Sequence, residues 1–144
     1  MAIPRSRRAG VTLIELLFAL TVVLIAGVWL LMAYHSALRL SEMAQQSIVA
    51  LNDLRDMAER IKTTPFTQLA SDFPNGAPNG VVGPQPERYS GIIGGYTLPN
   101  EQITVTHSPN TVADPREVIV QVTWMSGGRA CQRQLSTIRA GQAG

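Results

Sequence analysis

The sequence predicts an α+β fold: one very long N-terminal helix, its first half a transmembrane segment and its second half amphipathic, packed on a small antiparallel β-sheet. Three observations predict it. The nineteen residues Leu16 to Tyr34 contain neither a charge nor a proline. As a helix they rise roughly 28 Å, close to the ~30 Å hydrocarbon thickness of a bilayer. From Ser36 to Lys62 apolar residues recur at steps of three and four, the mark of a one-sided helix. From Tyr89 onward the period becomes two, the mark of strands with one buried face.

The N-terminal stretch organises the rest. A basic tip with Arg5, Arg7 and Arg8 ends in Gly10, and Val11-Thr12-Leu13-Ile14-Glu15 opens the apolar run. A carboxylate in a membrane segment costs about 2.5–3.5 kcal/mol at the bilayer centre and less towards an end, so Glu15 needs a partner. No cation lies one turn away, because Thr12 and Ala19 hold the neighbouring positions. Were the chain cut after Gly10, the new α-amine of Val11 would stand four residues before Glu15, a natural counter-charge. Within the span only Gly27 weakens the helix, by roughly 1 kcal/mol relative to alanine.

Gly10 followed by Val11-Thr12-Leu13-Ile14-Glu15-Leu16-Leu17 resembles the processing site of type IV prepilins and type II secretion pseudopilins. The resemblance implies removal of a basic leader after Gly10 and N-methylation of Val11 by a membrane prepilin peptidase. It also implies that Glu15 is the assembly residue. Two features differ from the usual pattern: Val11 stands where phenylalanine is common, and Leu30 to Tyr34 lack the proline frequent in major pilins. The resemblance covers only the start of the chain, and the fold it implies is pilin-like. The partners it implies are the prepilin peptidase/methyltransferase, other pilin or pseudopilin subunits through helix packing, and an inner-membrane assembly platform.

A secretory signal peptide fits the N-terminus less well, because its apolar region is shorter and has a small-x-small site behind it. Here Ala37 has His35 two residues before it and Ala33 has Leu31. A plain signal anchor would account for the helix and its basic flank, but not for Glu15 or the Gly10–Glu15 spacing. Arginines before the span and mixed charges after it put the N-terminus in the cytoplasm and the head outside the inner membrane.

The chain divides into a leader, 1–10; a transmembrane and filament-core helix, 11–35; an amphipathic head helix, 36–64; and a turn-rich loop and sheet head, 65–144. The apolar stripe of the second helical part is Leu40, Ala44, Ile48, Leu51, Leu54, Ala58 and Ile61, with Arg39, Glu42, Asp53, Arg55, Asp56, Glu59, Arg60 and Lys62 on the polar remainder. Thr63-Thr64-Pro65 ends the helix, because proline disfavours helix in the residue before it. Pro65, Pro74, Pro78, Pro84 and Pro86, with Asn75-Gly76 and Asn79-Gly80, make the connection turn-rich. Asp72 is too isolated an acid for a calcium loop, since calcium takes six to eight oxygens. Strands are expected near Gly91–Leu98, Gln102–His107, Glu117–Met125 and Arg129–Ile138. A hairpin through Gly127-Gly128 joins the last two.

Composition narrows the function. The formal charge of +2 becomes nine bases against ten acids once the three leader arginines are set aside. From residue 63 onward five bases face five acids. Arg129, Arg133 and Arg139 share one face of the last strand and could touch phosphates, but aromatic interleaving is absent and a charge-protected edge strand explains them; no nucleic acid is expected. The single cysteine, Cys131, rules out an intrachain disulfide, so the head must be held by its core. His35, His107 and Cys131 show no metal-ligand spacing. Neither an enzyme nor a cofactor or metal site is expected. The expectation is a structural subunit, a minor one, of a type IV pilus or related pseudopilus. The alternatives are a type II secretion pseudopilin or a membrane-tethered binding head of adhesin or DNA-uptake type.

Overall fold

A computed structural model describes residues 12–81 and 88–141. The leader with Gly10, the adjoining Val11, and Pro84 and Pro86 of the connection lie outside the described residues. Two compact units divide the chain, Met1–Glu42 and Met43–Gly144. One helix, α1 (Leu13–Thr63), runs through both. After it come two short helices, α2 (Leu69–Asp72) and α3 (Ser90–Ile93), and three strands, β1 (Gln102–Ser108), β2 (Arg116–Ser126) and β3 (Arg129–Arg139). The strands form an antiparallel sheet in the order β1-β2-β3.

In the second unit the C-terminal half of α1 packs on the sheet. Alternation drives it: Ile103, Val105 and His107 of β1 are buried, as are Val118, Val120, Val122 and Trp124 of β2. Ala50, Leu54, Met57 and Ile61 of α1 meet them in one core, joined by Leu69, Phe73, Tyr89 and Leu98. Gly127 (φ +55°) and Gly128 (φ +79°) turn the β2–β3 hairpin, a left-handed pair that only glycine adopts without cost.

Three expectations are corrected. Gly91–Leu98 is not a strand: Ser90–Ile93 is a helical turn, followed by Gly94 (φ +79°) and Gly95 (φ +106°). Adjacent Ile92 and Ile93 break period-two alternation, and the glycines supply left-handed turns in place of a ladder. The apolar stripe is displaced, with Leu40, Ala44, Ile48 and Leu51 exposed while Ala50 and Met57 are buried. The sheet covers a neighbouring face of the helix, where Gln46 Oε1 accepts from the Trp124 indole N–H at 3.2 Å and Ala50 is fully buried. Asp53, assigned to the polar surface, is buried.

The connection before β1 has a defined task. The outer edge of β1 would otherwise present unpaired backbone groups, a template for aggregation. Asn79 Oδ1 accepts the Ile103 N–H at 2.8 Å and Asn75 Oδ1 accepts the His107 N–H at 2.9 Å. Between them the Gly76 N–H donates to the Val105 carbonyl at 2.8 Å. The two Pro-Asn-Gly turns, four residues apart, thus cap residues four apart on the strand. Where α1 ends, Arg139 donates to the Thr64 carbonyl at 2.8 Å and Arg116 to the Phe66 carbonyl at 3.0 Å. The Arg116 guanidinium also stands 4.3 Å over the Phe66 ring. Cation–π contact and charged donors at a helix C-terminus close this end of the head without a covalent link.

Candidate processing and assembly site

Of the three residues the sequence singles out, Gly10 and Val11 lie outside the described residues, and Glu15 stands in the first turn of α1. Thr12 starts the helix. Its carbonyl accepts from the N–H of Glu15 at 3.1 Å and of Leu16 at 3.2 Å, and its Oγ1 receives the Glu15 N–H at 3.4 Å. The spacing Thr-x-x-Glu before an apolar run is that of a capping box, and an acid in the first turn is favoured by the helix dipole. Sequence reasoning passed over Thr12; the spacing alone could have found it.

In the apolar part of the helix two hydroxyls bond to the helix's own carbonyls. The hydroxyl of Thr21 donates to the Phe18 carbonyl at 2.7 Å and that of Ser36 to the Met32 carbonyl at 2.9 Å, so neither leaves a polar demand on its surroundings. Every residue from Thr12 to Glu42 is exposed, including Phe18 (71 %), Trp29 (70 %) and Leu30 (72 %). Among the described residues α1 is the one helix long and apolar enough to cross a membrane, with a mean hydropathy of 2.7 over an 18-residue window. An apolar surface of this extent, far beyond the few hundred Å² that soluble monomers show, marks an interaction surface.

Residues 5–34 match the family of the prokaryotic N-terminal methylation motif. The chain carries a prepilin-type signal. That match takes in Gly10, Val11 and Glu15 together with most of the apolar span, and the motif is that of type IV pilin- and pseudopilin-type substrates, whose roles are structural. No curated protein and no solved structure matches the chain. The prepilin signal and the apolar helix behind it agree with membrane anchoring.

The head holds titratable groups of its own. His107 is buried, and its Nε2 lies 2.8 Å from the Phe73 carbonyl; a carbonyl only accepts, so the proton sits on Nε2. Burial lowers its pKa below the usual histidine value; the Phe73 hydrogen bond opposes this and the Arg116 charge adds to it. Burial likewise raises the Tyr89 phenol, whose ring stacks on Phe73 with centroids 5.9 Å apart. Cys131 is half-buried on β3, opposite Trp124. Arg129, Arg133 and Arg139 pair with Ser126, Val122 and Arg116, and so share one face of the sheet as expected. Arg139 is engaged at the end of α1, which leaves two of the three exposed. Among the described residues no group of three His, Cys, Asp or Glu could hold a metal ion.

Proposed function

We propose that this chain is a structural subunit, a minor one, of a type IV pilus or a related pseudopilus. Prepilin peptidase removes residues 1–10 and the new terminus, Val11, is N-methylated. The subunit waits in the inner membrane with its N-terminus in the cytoplasm and its head outside. An inner-membrane platform then passes it into a fibre whose core is built from neighbouring α1 helices. The observation that carries this reading is the methylation motif joined to a helix whose residues 13–42 are exposed and overwhelmingly apolar.

Glu15 sets the axial register in this scheme. Helices packed side by side exclude water, and there an unpaired charge costs several kcal/mol that a matched pair largely offsets. The methylated amine of Val11 on a neighbouring subunit supplies the match. Glu15→Gln separates this role from helix capping, because glutamine also serves a capping box but carries no charge. The processed variant should accumulate in the membrane and fall at least about tenfold in sheared fibres, the effect of about 1.4 kcal/mol or more. Intact-mass measurement should show the loss of Met1–Gly10 and the gain of one methyl group in wild type and variant alike. Normal incorporation of processed Glu15→Gln would remove Glu15 from assembly, and retention of the leader in wild type would overturn the proposal as a whole.

A further inference from the structure

Two acids and no base join α1 to the segment leading into β1. Asp53 lies on the buried face of α1 and Glu101 immediately before β1, and both are more than nine-tenths buried. Glu101 Oε2 accepts the N–H groups of Thr97 and Leu98, each at 2.9 Å. The Asp53 and Glu101 carboxyl groups lie close enough to act on one another, and no N–H or O–H donor serves Asp53 Oδ2 or Glu101 Oε1. An ionised carboxylate can only accept. A hydrogen bond between two carboxyl groups therefore needs a proton on one of them.

The distribution of partners says which one. Glu101 already receives two backbone donors, which favours its ionised form; Asp53 has no such donors at Oδ2 and is the group that carries the proton. The charges bearing on Asp53 are Glu101 and, one turn along α1, Asp56, both negative. On the sheet side β2 reaches this segment through the Met125 N–H, which donates to the Pro99 carbonyl at 2.8 Å. The neighbouring Thr123, Trp124 and Ser126 are uncharged. The titratable residue of β1, His107, lies towards its other end.

We propose that Asp53 and Glu101 form a proton latch, in which one shared proton holds α1 to residues 97–101 and its loss frees that segment. Burial is the largest influence on Asp53 and lifts its pKa from 3.8 to about 7, with Glu101 and Asp56 adding to the rise. The folded chain then holds a proton that the unfolded chain releases at the ordinary aspartate value. By linkage the stabilisation is fully present below that value, declines as pH rises towards 7, and is gone above it. In the folded state the latch itself opens on passing through neutrality.

The test uses the full chain in detergent micelles. Carbon-13 titration of the carboxyl groups should show one step near neutrality shared by Asp53 and Glu101. Two independent steps in the ordinary carboxylate range would overturn the latch. Protection factors of the Thr97 and Leu98 amides should fall severalfold between about pH 6 and about pH 8. In Asp53→Asn they should hold constant, since an amide donates to Glu101 without titrating. Equal falls in both proteins would overturn the proposal. So would a calcium-dependent rise in the wild-type unfolding midpoint above neutrality that Asp53→Asn lacks, because the pair would then be a cation site.

Discussion

The two halves of α1 make opposite use of the same backbone. Residues 13–42 are the more apolar and are exposed throughout; residues 43–63 carry most of the helix's charges, yet they hold all six of its buried positions. Apolarity does not decide burial within a chain. A partner surface does, and the three-stranded sheet supplies one only for the second half. What the first half lacks, a bilayer or neighbouring helices must provide, and that need is consistent with the prepilin signal ahead of it.

Two leucines one turn apart on the head part of α1 give the sharpest test of this contrast. Leu54 is fully buried and Leu51 is 40 % exposed. Leu54→Asp removes a core side chain and buries an unpaired charge. It should cost about 5 kcal/mol, comparable with the whole stability of a small domain. Leu51→Asp should cost no more than about 1 kcal/mol. Urea unfolding of the full chain in micelles, read from Trp124 fluorescence in a Trp29→Phe background, separates the two. Similar losses for both would mean that α1 buries a wider face than the core described above.

Titration sets the two regions apart more finely. His107 has a folded pKa below its unfolded value, so between those values the unfolded chain binds more protons and stability rises with pH. Its contribution is complete above the ordinary histidine value and is lost as pH falls below it. That slope is opposite in sign to the one from Asp53. Below the ordinary histidine value the two slopes therefore offset one another, and His107→Gln, which can still donate to the Phe73 carbonyl, should make head stability fall more steeply with rising pH in that range. Unfolding midpoints across pH check this; an unchanged slope in the variant would show that His107 does not offset Asp53.

Legibility in the sequence followed the range of the interactions. The alternation of Val118, Val120, Val122 and Trp124 and the Gly127-Gly128 turn are local signals, and β2, the hairpin and β3 were readable from them. So was the Gly10–Glu15 spacing, because the prepilin signal is contiguous. Asn75 and Asn79 were readable as turns but not as caps, since the amides they hold lie on β1. Asp53 looked like any solvated acid: the group that acts on it in the fold, Glu101 before β1, is distant in the chain. The segment Gly91–Leu98 misled because an Ile-Ile pair among glycines satisfies a strand composition without its alternation. The stripe from Leu40 to Leu51 misled for a further reason: its periodicity is genuine, but the sheet packs on a neighbouring face of the helix, through Gln46 and Ala50.

The smallest effect is expected at Cys131. Its thiol is half-buried at the margin of the head core, with its Sγ 3.9 Å from the Arg129 carbonyl, and no second cysteine exists in the chain. Serine is nearly isosteric and its hydroxyl can take up the same carbonyl more strongly. Partial exposure also limits the cost of replacing sulfur by oxygen. Cys131→Ser should shift stability by less than about 1 kcal/mol and leave the fibre yield unchanged, because neither the core contacts of Trp124 nor the exposed half of α1 depends on sulfur. Fibre yield and unfolding midpoint, each measured with and without reductant, check both parts. A fibre defect in Cys131→Ser, matched by a reductant-sensitive dimer in wild type, would show that two heads are joined covalently and that assembly depends on the head as well as on α1.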